Sequence, residues 1–324
     1  MFSIWDRKMT NDDGRWERGV LEKLAMEALK EQRRSRRWGI FFKLLTFAYI
    51  TFAVLLLVDW KAPAGGKEGR HTALVEISGV ISPGSDSSAE KVVTALNAAF
   101  KDKGTQGVVL RINSPGGSPV QSQTIYDEMR RLRQKYPQIP LYAVVEDLCA
   151  SGGYYVAVGA DKIFVSKSSI VGSIGVRLDS FGVTGLMEKI GVERRLLTAG
   201  ENKGMLDPFL PVDEKQKEYA LKMIQEVHQQ FIGDVRAGRG KRLKENPDLF
   251  TGLIWTGAKS VELGLADAFG SLDFVAREII KAEDIVDYTQ KENIAEKFAK
   301  RFGASMANTM MEFVLRASAG GGIR

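Results

Sequence analysis

The chain has 324 residues, 44% of them apolar, which suits one large globular domain plus an appendage, or two modest domains, and excludes a disordered or fibrous class. Its 46 basic and 40 acidic residues leave a formal charge of +6, but much of the excess precedes residue 70. No Lys/Arg stripe with interleaved aromatics runs through the body, so nucleic acid is not an expected partner.

A single cysteine, Cys149, rules out an intramolecular disulfide, and no Cys/His cluster has metal-ligand spacing, so neither metal nor cofactor is expected. The two histidines, His71 and His228, have no partner pattern. Both read as structural or surface residues.

In chain order, residues 1–38 form a charged N-terminal segment with helical composition from Arg15 to Arg37. Residues 39–58, GIFFKLLTFAYITFAVLLLV, have the length needed to cross a hydrocarbon core of about 30 Å. Lys43 lies near the start of the run, where its stem reaches the headgroups, and Trp38 and Trp60 bracket it as interfacial anchors. The run sits behind a long charged stretch and lacks an A-x-A exit, so a retained single-pass anchor is expected rather than a cleaved signal. Lys30, Arg33, Arg34, Arg36 and Arg37 crowd its N-terminal side. The positive-inside rule therefore keeps the N-terminus cytoplasmic and exports everything after Val58, placing the chain in the inner (cytoplasmic) membrane with a periplasmic or extracytoplasmic body.

Residues 59–71 read as a Pro/Gly/Lys linker, 72–290 as the folded domain and 291–324 as a C-terminal tail. Within the domain, β-branched runs alternate with amphipathic stretches, as in βαβ units around a buried sheet. ALVEISG, GVVLRI, LYAVVED and KIFV read as strands. Ser88 to Phe100, Val120 to Tyr136 and Asp213 to about Val235 read as helices, the last stopped by Gly238 and Gly240. Residues 255–270 read as a short helix and turn before a closing helix from Leu272 to Lys281.

Two glycine turns follow consecutive strands: RINSPGGS from Arg111 to Ser118, and EDLCASGGYY from Glu146 to Tyr155. In an open α/β sheet both face one crevice at the carboxyl ends of the strands. Paired glycines bring amide N–H groups close to a ligand, where they stabilise a developing oxyanion. Ser151 at the start of a helix is the candidate nucleophile, with Gly152 and Gly117 as amide donors. Its base is sought among the lysines, because neither histidine is well placed. A free lysine titrates near 10.4 and must be desolvated to act as a base. Lys203, in LLTAGENKGMLDPFLP, sits among Gly200, Gly204, Met205, Leu206 and Phe209 rather than on a charged helix face, and is the candidate.

Taken as an ordered set, RINSPGG, ASGGYY, VSKSSIVGSIGV (Val165 to Val176), the lysine loop and WTGAKSVELGLAD resemble the signal peptide peptidase A family in its short single-domain form, from about Thr72 to Val286. The resemblance implies an α/β fold of the ClpP/crotonase type, a spiral of ββα units preceded here by the single transmembrane helix. It implies Ser151 as nucleophile, Lys203 as general base 52 residues later, and Ser173 orienting the lysine amine. It also implies oxyanion donation by Gly152 and the Gly116/Gly117 turn, and homo-oligomeric rings in which adjoining subunits complete one another's sites. With the anchor, it implies apolar peptide substrates at the lipid bilayer, such as remnant signal peptides. Cys149 and Gly204 depart from the family pattern without removing a catalytic group. A stomatin-partner-type membrane protease cleaving a particular protein tail, a crotonase-like acyl-CoA enzyme and an inactive membrane scaffold ring are the alternatives.

Overall fold

The computed structural model of the chain describes residues 6–57 and 69–290. They belong to two units, which are taken separately. Among the described residues the first contains one helix, α1 (Asp6–Leu57). Its large apolar side chains from Trp38 to Phe52 are exposed, with Trp38 stacked on Phe42 and edge-on to Phe41. Among the described residues no helix is long and apolar enough to cross a membrane. The Gly39–Val58 run read as an anchor ends beyond them, and most of the linker and the whole tail after Gln290 also lie outside the described residues.

The second unit is built on a mixed sheet. Its strands are β1 (His71–Ser78), β2 (Thr105–Ser114), β3 (Leu141–Ala150), β4 (Lys162–Val165), β5 (Ile170–Gly172), β6 (Ile254–Thr256), β7 (Ala268–Phe269) and β8 (Ile285–Asp287). The order is β6-β5-β3-β2-β1-β8, with β4 between β3 and β7. All pairings are parallel except β5 with β6. The central strands are buried on both faces, which is why ALVEI, VVLRI and YAVV read as near-continuous apolar runs.

Helices α2 (Ala89–Lys101), α3 (Pro119–Lys135), α4 (Gly152–Ala157) and α6 (Glu214–Arg239) bring apolar faces to one core with Val75, Leu110, Ile112, Ala143 and Val145 of the sheet. The shorter α5 (Thr184–Lys189) lies between α4 and α6 in the chain, and α7 (Gly257–Glu262) and α8 (Leu272–Phe274) follow α6.

Strand β3 has two successive neighbours on one side. Tyr142 to Val144 pair with β4, whereas Leu148 to Ala150 pair with β5. The change of partner coincides with a bulge: opposite β2 the register steps from Ile112↔Val145 to Ser114↔Cys149. The sheet forks there, and the C-terminal half of β3 is aimed away from β4.

Several elements differ from the sequence reading. Strands β5 to β8 have two or three residues each, too short for any alternation to register in sequence. The closing helix is one turn, α8, followed by a π-helical turn over Val275–Ile280, and Lys281 ends it in the left-handed conformation. Gly238 does not stop α6. It lies inside the helix, where a Cβ would come within 2.3 Å of the Val158 carbonyl oxygen, so glycine there permits close packing. Gly240, at φ 52°, is the stop.

Candidate active site

Ser151 stands in the single-residue turn between β3 and α4, at φ 52° and ψ −123°. A residue with a Cβ pays about 1–3 kcal/mol to stay in such a region, and does so only where its surroundings hold it. Two backbone bonds hold it here: the Ser151 N–H donates to the Gly172 carbonyl at 2.8 Å, and the Tyr155 N–H donates to the Ser151 carbonyl at 2.9 Å.

The Gly116–Gly117 turn after β2 lies alongside. The Ile81 N–H donates to the Gly116 carbonyl at 2.9 Å, and the Ser118 N–H donates to the Ile81 carbonyl at 2.8 Å, clamping the turn from both sides. Ser118 then caps α3 through its hydroxyl, and Pro119 begins the helix. A Cβ on Gly117 would come within 2.0 Å of the Ile81 carbonyl oxygen, and one on Gly116 within 2.6 Å of the Gly152 nitrogen. The positive φ values of 96° and 156° suit glycine for the same reason.

The amide inventory separates the glycines. The Gly116 N–H is taken by the Ser114 hydroxyl at 3.1 Å, and that hydroxyl donates onward to the Gly79 carbonyl at 2.6 Å. Among the described residues the N–H groups of Gly117 and Gly152 have no acceptor. They are neighbours, since a Cβ on Gly152 would lie 3.1 Å from the Gly117 nitrogen. Two free amides beside a serine hydroxyl at a strand-to-helix turn are the donor pair that an acyl-transfer oxyanion requires.

Ser173 lines the same open cleft as Ser151, Gly116 and Gly117. It follows Gly172 at the end of β5 and also has positive φ, 52°. Its N–H donates to the Leu253 carbonyl at 2.8 Å. Arg177 and Asp179, paired at 3.4 Å, are the charged side chains of that cleft.

Lys203 is not brought to this cleft within the single chain. It sits in an exposed turn, its N–H bonded to the Gly200 carbonyl at 3.1 Å, and among the described residues no hydrogen bond or ion pair reaches its amine. The sequence placed it in a dry apolar loop. The apolar neighbours are present, but the stretch 177–213 faces outward, with Phe181 82% and Leu197 96% exposed.

Cys149, one residue ahead of the turn, is wholly buried in the core, and desolvation pushes its thiol far above the usual range. It has no access to the cleft. His71 is also buried, bonded to the Tyr288 hydroxyl at 3.0 Å. His228 is half-buried, and its Nε2 lies 3.1 Å from the Ile174 carbonyl oxygen, the structural half of the reading given above. Ser114 and Ser122 escaped the sequence reading. Ser122 is fully buried on α3, and a Cβ on Gly152 would come within 2.4 Å of its hydroxyl. A serine in a strand or helix carries no distinguishing pattern, so neither had a sequence signal.

Among the described residues no three His, Cys, Asp or Glu side chains gather as a metal site.

Comparison with known proteins bears on this arrangement. The model of peptidase family S49 matches residues 133–285, and that of the Clp protease family matches 75–169. A Methanocaldococcus jannaschii protein described as a protease is 34% identical over 218 residues, covering 66% of this chain and 69% of its own. An Enterococcus faecium protein described as a signal peptide peptidase SppA is 29% identical over 232 residues, covering 69% and 67%. The Na(+)/H(+) antiporter NhaA of Brucella melitensis is 45% identical over 204 residues, 61% of this chain, but the match spans only 28% of the antiporter. With the serine turn, the amide pair and this similarity in hand, the chain belongs to peptidase family S49, with a ClpP-like α/β fold.

Proposed function

We propose that the protein is a membrane-anchored serine endopeptidase in which Ser151 is the nucleophile, Lys203 the general base, Ser173 the residue that orients the lysine amine, and the Gly152 and Gly117 amides the oxyanion hole. Lys203 takes the Ser151 proton and the alkoxide attacks the peptide carbonyl. The two N–H groups hold the negative oxygen, the amine leaves with the proton, and Lys203 then activates water against the acyl-enzyme. The observation that carries this reading is the pair of unbonded amides flanking a hydroxyl at a strained strand-to-helix turn. Gly116 serves as the hinge of the turn, its own amide being engaged by Ser114.

The base is reached through assembly. A general base needs a neutral amine, and packing of the 177–213 stretch on an adjoining copy in a homo-oligomeric ring supplies the apolar cover that such an amine requires. The exposed Phe181, Leu186, Ile190 and Leu197 of that stretch support this reading. Residues 39–58 anchor the chain in the inner membrane with the peptidase unit outside the cytoplasm, and the substrates are extended apolar peptides at the bilayer, such as remnant signal peptides.

Hydrolysis of an apolar fluorogenic peptide by the full chain in detergent tests the dyad. Ser151→Ala and Lys203→Ala are each expected to lower kcat at least about a thousandfold with an unchanged melting temperature, in the range seen for loss of a nucleophile or base. Undiminished turnover by Lys203→Ala would remove lysine from the mechanism.

A further inference from the structure

The helix α6 touches the helix that Ser151 opens and the turn that holds Ser173, and it does so with residues spaced along one side. Asp234 accepts from the Tyr155 hydroxyl at 2.5 Å, and Phe231 stacks on the Tyr155 ring at 4.6 Å and 13°. Tyr155 belongs to α4, the helix that Ser151 opens. Three residues before Phe231 on α6, His228 reaches the Ile174 carbonyl at 3.1 Å. A carbonyl only accepts, so the imidazole must present Nε2–H there. Ile174 directly follows Ser173 and is fully buried.

Ser173 is held at φ 52°, a conformation that a residue with a Cβ keeps only under restraint. Its restraints can be named. On its own N–H, the bond runs to Leu253 at 2.8 Å, and one peptide further on, the carbonyl of Ile174 is fixed by His228. Before it, the Gly172 carbonyl accepts from Ser151 itself. The Ser173 turn is thus tied at one end to the nucleophile and at the other to α6 through one imidazole.

We infer that His228 is a positioning residue for the peptidase site: its ring N–H fixes the Ile174 carbonyl, holds the strained turn, and so keeps the Ser173 hydroxyl in the Ser151 cleft. It touches neither substrate nor the reacting atoms. The inference rests on the role proposed for Ser173, and it gives α6 the task of setting the distance between the two serine turns.

Two measurements on the full chain test it. The first is independent of the catalytic reading: amide hydrogen exchange over residues 172–176 is expected to quicken about tenfold in His228→Ala and to return toward wild type in His228→Gln, whose side-chain amide also offers an N–H. Unchanged exchange in His228→Ala overturns the positioning role. The second is a double-mutant cycle on peptide hydrolysis. His228→Ala is expected to lower kcat about tenfold with KM changed less than about twofold, His228→Gln to recover most of the rate, and His228→Ala/Ser173→Ala to be no slower than Ser173→Ala alone. Losses that multiply in the double variant overturn action through Ser173. If exchange quickens while Ser173→Ala retains full turnover, the role proposed for Ser173 fails and the structural tie through His228 stands.

Discussion

Ser151 is held by its neighbours rather than by its own preferences. A positive φ at a serine, a carbonyl acceptor from β5 and a first helical bond from Tyr155 leave its hydroxyl at the lip of a cleft with two amides beside it. The same crowding makes the glycines exacting. Gly152→Ala places a methyl group on the buried Ser122 hydroxyl, 2.4 Å from its Cβ position, and pushes the Gly152 amide away from the Gly117 amide. Loss of one oxyanion donor costs about 10²–10³ in kcat. Steady-state kinetics of Gly152→Ala are therefore expected to show a fall of that size in kcat with a lowered melting temperature, whereas Gly153→Ala, whose Cβ would meet the Ser114 carbonyl at 3.0 Å, is expected to trouble stability more than turnover.

At this scale the sequence was generous where chemistry needs an unusual residue in an unusual place. The glycine pairs after two strands mark the turn, and Cys149, one residue before Ala150, is buried in the core. It was silent on Ser114, Ser122 and the contact of His228, because each is an ordinary residue in an ordinary helix or strand whose partner lies far away in the chain.

Among the elements, α6 and the segment after it carry the buried ion pair. Arg239, 1% exposed, donates from its guanidinium to Asp267 at 2.8 Å and to the Gly264 carbonyl at 2.8 Å. Asp267 also accepts from the Ile163 N–H at 2.7 Å and from Arg242 at 3.1 Å. Burial alone would raise the Asp267 carboxyl, but the Arg239 hydrogen bond and charge, with Ile163 and Arg242, outweigh it and leave it below the ordinary carboxylate range. A carboxyl depressed on folding adds stability that is present above its unfolded value, near 3.9, and is lost as pH falls through its folded value. Asp267→Asn is accordingly expected to lower the melting temperature at pH 7 and to flatten its decline on acidification below about pH 4. Removing one partner of such a pair costs about 3–5 kcal/mol, because the other charge stays buried. Thermal unfolding followed from pH 7 to pH 3 checks both, and an unchanged acid limb would show that Asp267 is not the group that titrates.

Element reading from the sequence was sound for the long strands and helices, where apolar runs and helical periods are sustained. It missed β5 to β8, whose two or three residues take their conformation from neighbouring strands. It also misread Gly238, since a glycine that admits a carbonyl from another helix resembles a helix stop until the packing is known.

For the whole molecule, the separation of Lys203 from Ser151 in one chain is the leading fact. No sequence pattern distinguishes a lysine that reaches its own serine from one that reaches an adjoining copy, because the difference lies in how folded units meet. If each site takes its serine from one chain and its lysine from another, mixing full-length Ser151→Ala with full-length Lys203→Ala chains, dissociated and reassembled together, is expected to restore up to about a quarter of wild-type hydrolysis, the share that random pairing allows. Each variant reassembled alone is expected to stay inactive. No recovery in mixtures shown by sedimentation to be hetero-oligomeric would assign both residues to one chain.

The fork in the sheet has its own consequence for how the serine is addressed. Between Val145 and Cys149, β3 spends four steps where β2 spends two, from Ile112 to Ser114. That slack lets the strand leave β4 and run beside β5, and it determines which residue arrives at the corner. The position of the Ser151 hydroxyl is in this sense a matter of counting. Shortening that stretch by one residue would bring a different side chain to the corner, though every residue of the site remained in the polypeptide.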